Sequence, residues 1–287
     1  MNLFKSIVCA GIFAAAVGAQ AQSTHVFMFA HADDTTLFAG DYAFRDMVVG
    51  NNCIFIYVSA GEGGLRAGGS GTIPFYRARE LSATSTVKVA TTQSGFTTLF
   101  DTWSKKTFNG HSINYYKYRN STSYFLRLPD GDPGGGGFQA NGYQSLGRVY
   151  INNNPKIQAV DGSTTYNGWV DLVNTIKAIV KNHTGTTTGF LMNAQDPDPE
   201  INVNDHSDHR HTGLLAIEAG TALGARFRLW QDYIINTKPA NLGRDDFMKK
   251  TGMHGALAMT LATYGYVPTY DDWHTSFLDR SYFRYYP

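Results

Sequence analysis

Short apolar runs, each followed by turn-forming residues and then by a mixed segment with helical spacing, recur along this chain and restrict it to few folds. Residues 25–30, 53–58 and 189–193 read as buried strands, with a helix expected over 35–49 from Leu37, Phe38, Tyr42 and Phe44. Pro74 opens a second expected helix running to about 89, and two more are expected over 170–180 and 208–224. Strand, loop and helix in repeated order imply an α/β fold, with a Rossmann-like, mostly parallel sheet flanked by helices. Further strands are expected within 96–128, whereas the Pro and Gly content of 129–137 excludes regular structure there. After Trp230 the periodicity weakens, and that region is expected as a C-terminal extension packed on the same domain. No repeat and no long linker divides 22–287, so one domain is expected.

The N-terminus carries Lys5, an apolar stretch over 7–17 and the small-x-small pattern Ala19-Gln20-Ala21. This reads as a signal peptide cut after Ala21, which places the chain in a secreted or periplasmic compartment. The apolar run is shorter than the ~20 residues that span a bilayer, so no stable membrane insertion is expected. Cys9 lies in the leader without a lipidation motif, and the remaining Cys53 reads as a small buried hydrophobe with no disulfide partner. With 24 basic against 23 acidic side chains, and Lys5 among those removed with the leader, the mature chain is formally neutral. That balance argues against nucleic acid as a partner. Hydrophobic residues at 43% and charged residues at only 16% exclude a disordered chain.

Two polar clusters fall where an open α/β sheet places its ligands, beyond the carboxyl ends of strands. The first is Ala30-His31-Ala32-Asp33-Asp34, and the second is the run from Asp205 to His211, with histidines at 206, 209 and 211. His31 and Asp34 can offer an imidazole nitrogen and a carboxylate oxygen to one ion across a strand-to-helix turn. His209 completes a two-His, one-carboxylate set that leaves a position for water or substrate, as hydrolytic zinc sites require. Asp33 is then a non-ligating carboxylate beside the metal, the natural general base.

The arrangement resembles the PIG-L/LmbE deacetylase family, zinc enzymes that remove N-acetyl groups from amino sugars and related glycoconjugates. The family's opening Ala-His-Pro-Asp-Asp-Glu is matched by Ala30-His31-Ala32-Asp33-Asp34-Thr35, and its His-Pro-Asp-His by His206-Ser207-Asp208-His209. Ser59-Ala-Gly-Glu-Gly-Gly64 resembles the Gly-rich loop after its second strand, Tyr76-Arg-Ala-Arg-Glu80 its Arg-x-x-Glu helix start, and Phe125-Leu-Arg-Leu-Pro-Asp130 a further, weaker match. The likeness covers about residues 24–222. It implies an LmbE-like three-layer fold, His31, Asp34 and His209 as zinc ligands, and Asp33 as general base. It also implies His206 as the group that stabilises the tetrahedral intermediate, most effectively as an imidazolium. Arg77 and Asp130 become candidates for substrate binding, with Asp130 on a sugar hydroxyl. Fe(II) also accepts this ligand set.

Thr35 stands where the family carries an acid, and Ala32 and Ser207 stand in place of two prolines, which relaxes both turns but removes no proposed catalytic group. The expected activity is hydrolysis of the N-acetyl group of a GlcNAc-type amino sugar or sugar conjugate. Two alternatives stand beside it: a secreted glycan-binding protein with a degenerate cleft, and a metal hydrolase of another amide or an ester. Several features have plainer readings. Arg77 and Glu80 are spaced as a helix-surface ion pair, and His211 as a structural or solvated side chain. Gly134 to Gly137 lacks the Lys-Ser/Thr of a phosphate loop, Gly61-Glu62-Gly63-Gly64 lacks a dinucleotide fingerprint, and 281–286 reads as an edge strand.

Overall fold

The structure is a computed structural model that describes residues 23–65, 70–93, 99–152 and 155–286. The expected leader, 1–21, lies outside them. Along the chain run β1 (Thr24–Phe29), α1 (Asp34–Phe38), α2 (Gly40–Val48), β2 (Asn52–Ser59), α3 (Phe75–Thr91), β3 (Asp101–Phe108), β4 (His111–Tyr118) and β5 (Ser121–Leu128). They are followed by α4 (Leu146–Tyr150), β6 (Ile157–Gln158), β7 (Thr165–Tyr166), α5 (Trp169–Thr184), β8 (Leu191–Gln195), α6 (Ser207–Thr221), β9 (Arg226–Trp230), α7 (Arg244–Thr263), α8 (Asp272–Thr275) and β10 (Phe283–Tyr286). The main sheet has the order β10-β9-β8-β1-β2-β5-β4-β3. Its centre, β9-β8-β1-β2-β5, is parallel, and antiparallel strands extend both edges. The fold is thus the mixed α/β architecture expected from the strand-loop-helix repeat.

Successive side chains of a strand point to opposite faces, and here both faces are covered. On one, Val26, Met28, Ile54 and Ile56 meet Leu172, Ile176, Ile179 and Leu215 of α5 and α6. On the other, Phe27, Phe29, Phe55 and Tyr57 meet Phe38, Phe44, Met47, Val87 and Met253 of α1, α2, α3 and α7. This dictates the unbroken apolar runs of β1 and β2, since every position from Val26 in β1 and from Cys53 in β2 is buried. The α5 helix forms because its apolar residues fall at 172, 173, 176, 179 and 180, one stripe of a 3.6-residue period, and it ends where Gly185 adopts φ 59°. Full burial of each such side chain contributes about 1.5–3 kcal/mol.

Several elements differ from the sequence reading; α5 runs four residues past the expected 180, to Thr184. The helix expected over 35–49 breaks at Ala39 into α1 and α2, because every residue of α1 is buried, polar ones included, and apolar spacing cannot register the break. The strand expected over 189–193 runs from Leu191 to Gln195: Gly189, at φ 74°, belongs to the turn, and the polar Asn193 and Gln195 continue the strand fully buried. The last helix expected before the extension starts one residue earlier, at Ser207, and ends at Thr221. Beyond Trp230 lies a twenty-residue helix, α7, whose inward stripe is interrupted by buried Lys250 and His254 and so lost its apolar signature. Lys250 Nζ donates to the carbonyls of Phe277 (2.9 Å) and Arg280. Burial pushes its pKa down to about 7. The extension packs on the same sheet through β10, which pairs with β9, and through α7, which lies along α3. No helix among the described residues is long and apolar enough to cross a membrane.

A buried ion network ties α3 to β5. Arg127 grips Glu80 with Nε and with Nη2 (2.8 Å), and its Nη1 reaches Asp161. Glu80 is 4% exposed, so it depends on its cations for compensation. Arg127→Met is expected to lower unfolding free energy by about 3–5 kcal/mol, the range for breaking a buried pair from one side. Chemical denaturation checks this, and a loss under about 1 kcal/mol, the range of surface pairs, would contradict it.

Candidate metal centre and active site

The parallel strands reverse their order of addition on either side of β1, and the crevice beyond the carboxyl ends of β1 and β8 is where such sheets bind ligands. The turn after β1 delivers His31, Asp33 and Asp34 to this crevice. The loop after β8 and the first turn of α6 deliver His206, Asp208 and His209, and the loop after β5 delivers Asp130. All seven residues are buried or nearly so.

His31, Asp34 and His209 converge. Their ligand atoms lie within 4.8 Å of one another. His31 Nδ1 is 3.2 Å from His209 Nε2, and the Asp34 carboxylate reaches His209 Nε2 with Oδ1 (3.3 Å) and His31 Nδ1 with Oδ2 (3.5 Å). The outward nitrogen of each ring meets another carboxylate: His209 Nδ1 is 2.9 Å from Asp205 Oδ1, and His31 Nε2 is 3.4 Å from Asp208 Oδ2. These carboxylates favour the ring proton on the outward nitrogen, which turns both lone pairs inward beside Asp34. Imidazoles backed by carboxylates and facing a third ligand form the donor set of a divalent cation site.

Electrostatics points the same way. Burial lowers the proton affinity of His31, but the charges of Asp34 and Asp208 outweigh it and push the pKa up to about 10. His209 is likewise raised against burial, by Asp205 and Asp34. Asp34 is held well below the ordinary carboxylate range, because His209 and His31 more than offset its desolvation. The site therefore attracts positive charge, and a divalent cation competes with protons for the inward nitrogens.

Behind His209, Asp232 Oδ2 lies 3.6 Å from Nδ1, and burial together with the charge of Asp205 pushes the Asp232 carboxyl well above its usual range. Gln195 accepts from the Ala30 N–H (3.0 Å) and donates to Asp34 Oδ2 (3.1 Å), which locks β8 to the turn after β1. The His31 N–H adds a second donor to that oxygen at 2.7 Å.

Asp33 stands beside the trio without joining it. Its Oδ1 accepts from Arg79 Nη2 at 2.6 Å. Burial opposes ionisation, but the Arg79 guanidinium holds the carboxyl below its ordinary value. His206 caps α6: its Nδ1 accepts the Asp208 N–H at 3.1 Å. That acceptor role places the proton of the neutral ring on Nε2, 3.7 Å from Asp130 Oδ1. Burial, reinforced by nearby His31, lowers the His206 pKa to about 4. The ring is thus a neutral Nε2–H donor at pH 7, where the sequence reading favoured an imidazolium. Asp130 is fixed by the Gly63 N–H on Oδ2 (3.3 Å) and the Asp132 N–H on Oδ1 (2.9 Å). Its own N–H donates to buried Glu62 (3.1 Å).

Arg77 is not brought to this group. It pairs with Glu80 at 2.6 Å and lies over the Trp103 ring at 3.8 Å, while Arg79, two residues on, is the α3 arginine that reaches Asp33. His211 turns away, with Nδ1 2.7 Å from the Ser207 carbonyl and its ring near Tyr150. The 129–137 loop borders the site through Gly131, whose N–H donates to Asp208 Oδ2 at 2.9 Å. A Cβ at Gly131 would fall 2.3 Å from Asp208 Oδ1, so only glycine permits this approach. Gln195, Arg79, Asp232 and Glu62 were not singled out as site residues by the sequence. A polar residue closing or following a strand was the available signal: Gln195 is the last residue of β8, and Asp232 lies two residues past the end of β9.

No family model matches the chain, and no curated protein does. Solved structures of deacetylases resemble it. N,N'-diacetylchitobiose deacetylase from Pyrococcus horikoshii is 13% identical, with 85% of this chain and 72% of that one covered at a TM-score of 0.46. The A40926 pseudoaglycone deacetylase is 14% identical over 85% and 84% of the two chains, also at 0.46. A zinc-inhibited form of teicoplanin deacetylase is 12% identical over 83% and 85%, at 0.45.

Proposed function

We propose that this chain is an exported, metal-dependent hydrolase that removes the N-acetyl group of a GlcNAc-type amino sugar or sugar conjugate. The observation that carries the reading is the convergence of His31, Asp34 and His209 on one point, with Asp33 beside them in the turn and the His206 ring packed against both histidines, next to Asp130. Zinc is the cation proposed, held by His31, Asp34 and His209; Fe(II) suits the same donors. When bound, the ion supplies Lewis acidity and lowers the pKa of water.

The chain's own residues supply the rest. Asp33, ionised and non-ligating, accepts a proton from the attacking water. As negative charge grows on the acetyl oxygen, His206 donates its Nε2–H to it, an arrangement whose benefit is largest where charge develops. Asp33, now a carboxylic acid, returns the proton to the departing amine. Asp130 offers carboxylate oxygens to a sugar hydroxyl next to the acetamide. Arg77 remains a proposed substrate contact at the outer end of α3.

The test is release of acetate from N-acetylglucosamine oligomers by purified, metal-supplied protein. Stoichiometric acetate and free amine are expected. Glycan binding unaffected by Asp33→Asn, with no acetate released from any oligomer, would replace this reading with the binding module.

A further inference from the structure

Arg79 enters none of the chemistry above, yet it is buried among three site carboxylates. Its side chain is 12% exposed, and burial, which would lower its pKa, is outweighed by Asp33, Asp34 and Asp130. The guanidinium is also walled in. A Cβ at Gly61, where the backbone has φ 57°, would fall 2.8 Å from Arg79 Nε, so the Gly-rich loop after β2 closes directly over it. Arg79 Nε itself has no hydrogen-bond partner among the described residues. Through Nη2 the group makes a single short bond, to Asp33 Oδ1. No other protein group among the described residues bonds the Asp33 carboxylate, so one oxygen is held and Oδ2 is left for the reaction.

We propose that Arg79 is the positioning residue of Asp33: its guanidinium, seated under Gly61, fixes one carboxylate oxygen and thereby aims the other at the attacking water. This rests on the hydrolase reading given above. A short, largely buried charge-assisted bond restricts the carboxylate more than solvent does, and misplacing a catalytic group by about 1 Å costs on the order of 10²-fold in rate. A lysine retains the charge but not the planar fork.

The experiment is a mutant cycle in the full-length mature protein, made with Arg79→Gln, Arg79→Lys, Asp33→Asn and the Arg79→Gln/Asp33→Asn double variant. Arg79→Gln should lower kcat by about 10²-fold with KM changed less than about threefold, and Arg79→Lys should recover part of the loss. In the Asp33→Asn background the same Arg79→Gln change should alter kcat less than about twofold, because its target is gone. Equal losses in both backgrounds, or a raised KM at unchanged kcat, would overturn the proposal. A crystal structure of Arg79→Gln gives a readout independent of turnover: the Asp33 carboxylate should leave its wild-type position, and an unmoved carboxylate would overturn the proposal as well. If wild-type protein releases no acetate, the hydrolase reading fails on its own, and the crystallographic comparison still decides whether Arg79 sets Asp33. Should Arg79→Gln not fold, Arg79→Lys is carried through the same cycle and the same crystallographic comparison.

Discussion

Asp33→Asn is expected to keep its metal at the wild-type level and to lose about 10²–10⁴-fold in kcat, the range that a positioned general base supplies. The residue is a sterically close replacement, and the trio His31, Asp34 and His209 holds together without the Asp33 carboxylate, which bonds Arg79 instead. The amide can still accept from Arg79 through its oxygen, so the turn and α1 should persist and the thermal midpoint should move little. What disappears is the proton acceptor. KM should change little, since the lost interaction belongs to the transition state. Kinetics with elemental analysis on the same preparation reads all three quantities. Turnover within a factor of a few of wild type would remove Asp33 from the chemistry, and loss of metal along with turnover would make it a ligand.

His209→Ala should do the opposite, abolishing metal retention first and turnover as a consequence. His209 is fully buried, touches both other members of the trio, and is the one proposed ligand contributed by α6. Losing merely the outer partner of a metal-bound histidine costs about 10–100-fold in metal affinity, and loss of the ligand itself should exceed that. The variant also leaves Asp34 without its largest favourable charge, and Asp205 and Asp232 without the imidazole that both of them face. A stability loss of about 3–5 kcal/mol is therefore expected, measured by denaturant unfolding of the metal-stripped forms so that the metal's own contribution is absent. Full metal occupancy in His209→Ala would contradict the site.

Much of this architecture was legible before any coordinates, for identifiable reasons. Apolar runs such as Val26 to Ala30 announce strands buried on both faces, and α5 announces itself because its stripe is uninterrupted. The convergence of the trio was legible because a polar cluster directly after β1 and another at the start of the helix that follows β8 both fall at the carboxyl edge of a parallel sheet. What stayed hidden has a common cause. Lys250, His254, Asn193 and Gln195 are buried polar side chains satisfied by partners distant in sequence: Lys250 caps carbonyls 27 and 30 residues away, and Gln195 binds Asp34 across 161 positions. Periodicity carries no trace of such partners. That Arg79 rather than Arg77 reaches Asp33 stayed hidden for a related reason. Both lie on the first turns of α3, about 200° apart around the axis at ~100° per residue, and only the packing of α3 on the sheet decides which one faces Asp33. The protonation state of His206 was out of reach for a local reason: its Nδ1 is committed to capping α6.

Two histidines and one aspartate, brought together by the turn after β1 and the first turn of α6, are proposed to hold a single catalytic cation. Elemental analysis of the mature protein, purified without chelators, tests this most directly when the same sample is assayed for acetate release. About one zinc or iron per chain is expected at the proposed three-ligand site, with acetate release that falls in proportion as a chelator removes the ion and returns when it is restored. A protein that carries no metal after exposure to zinc and to Fe(II), or one that releases acetate equally well when stripped, would contradict the account.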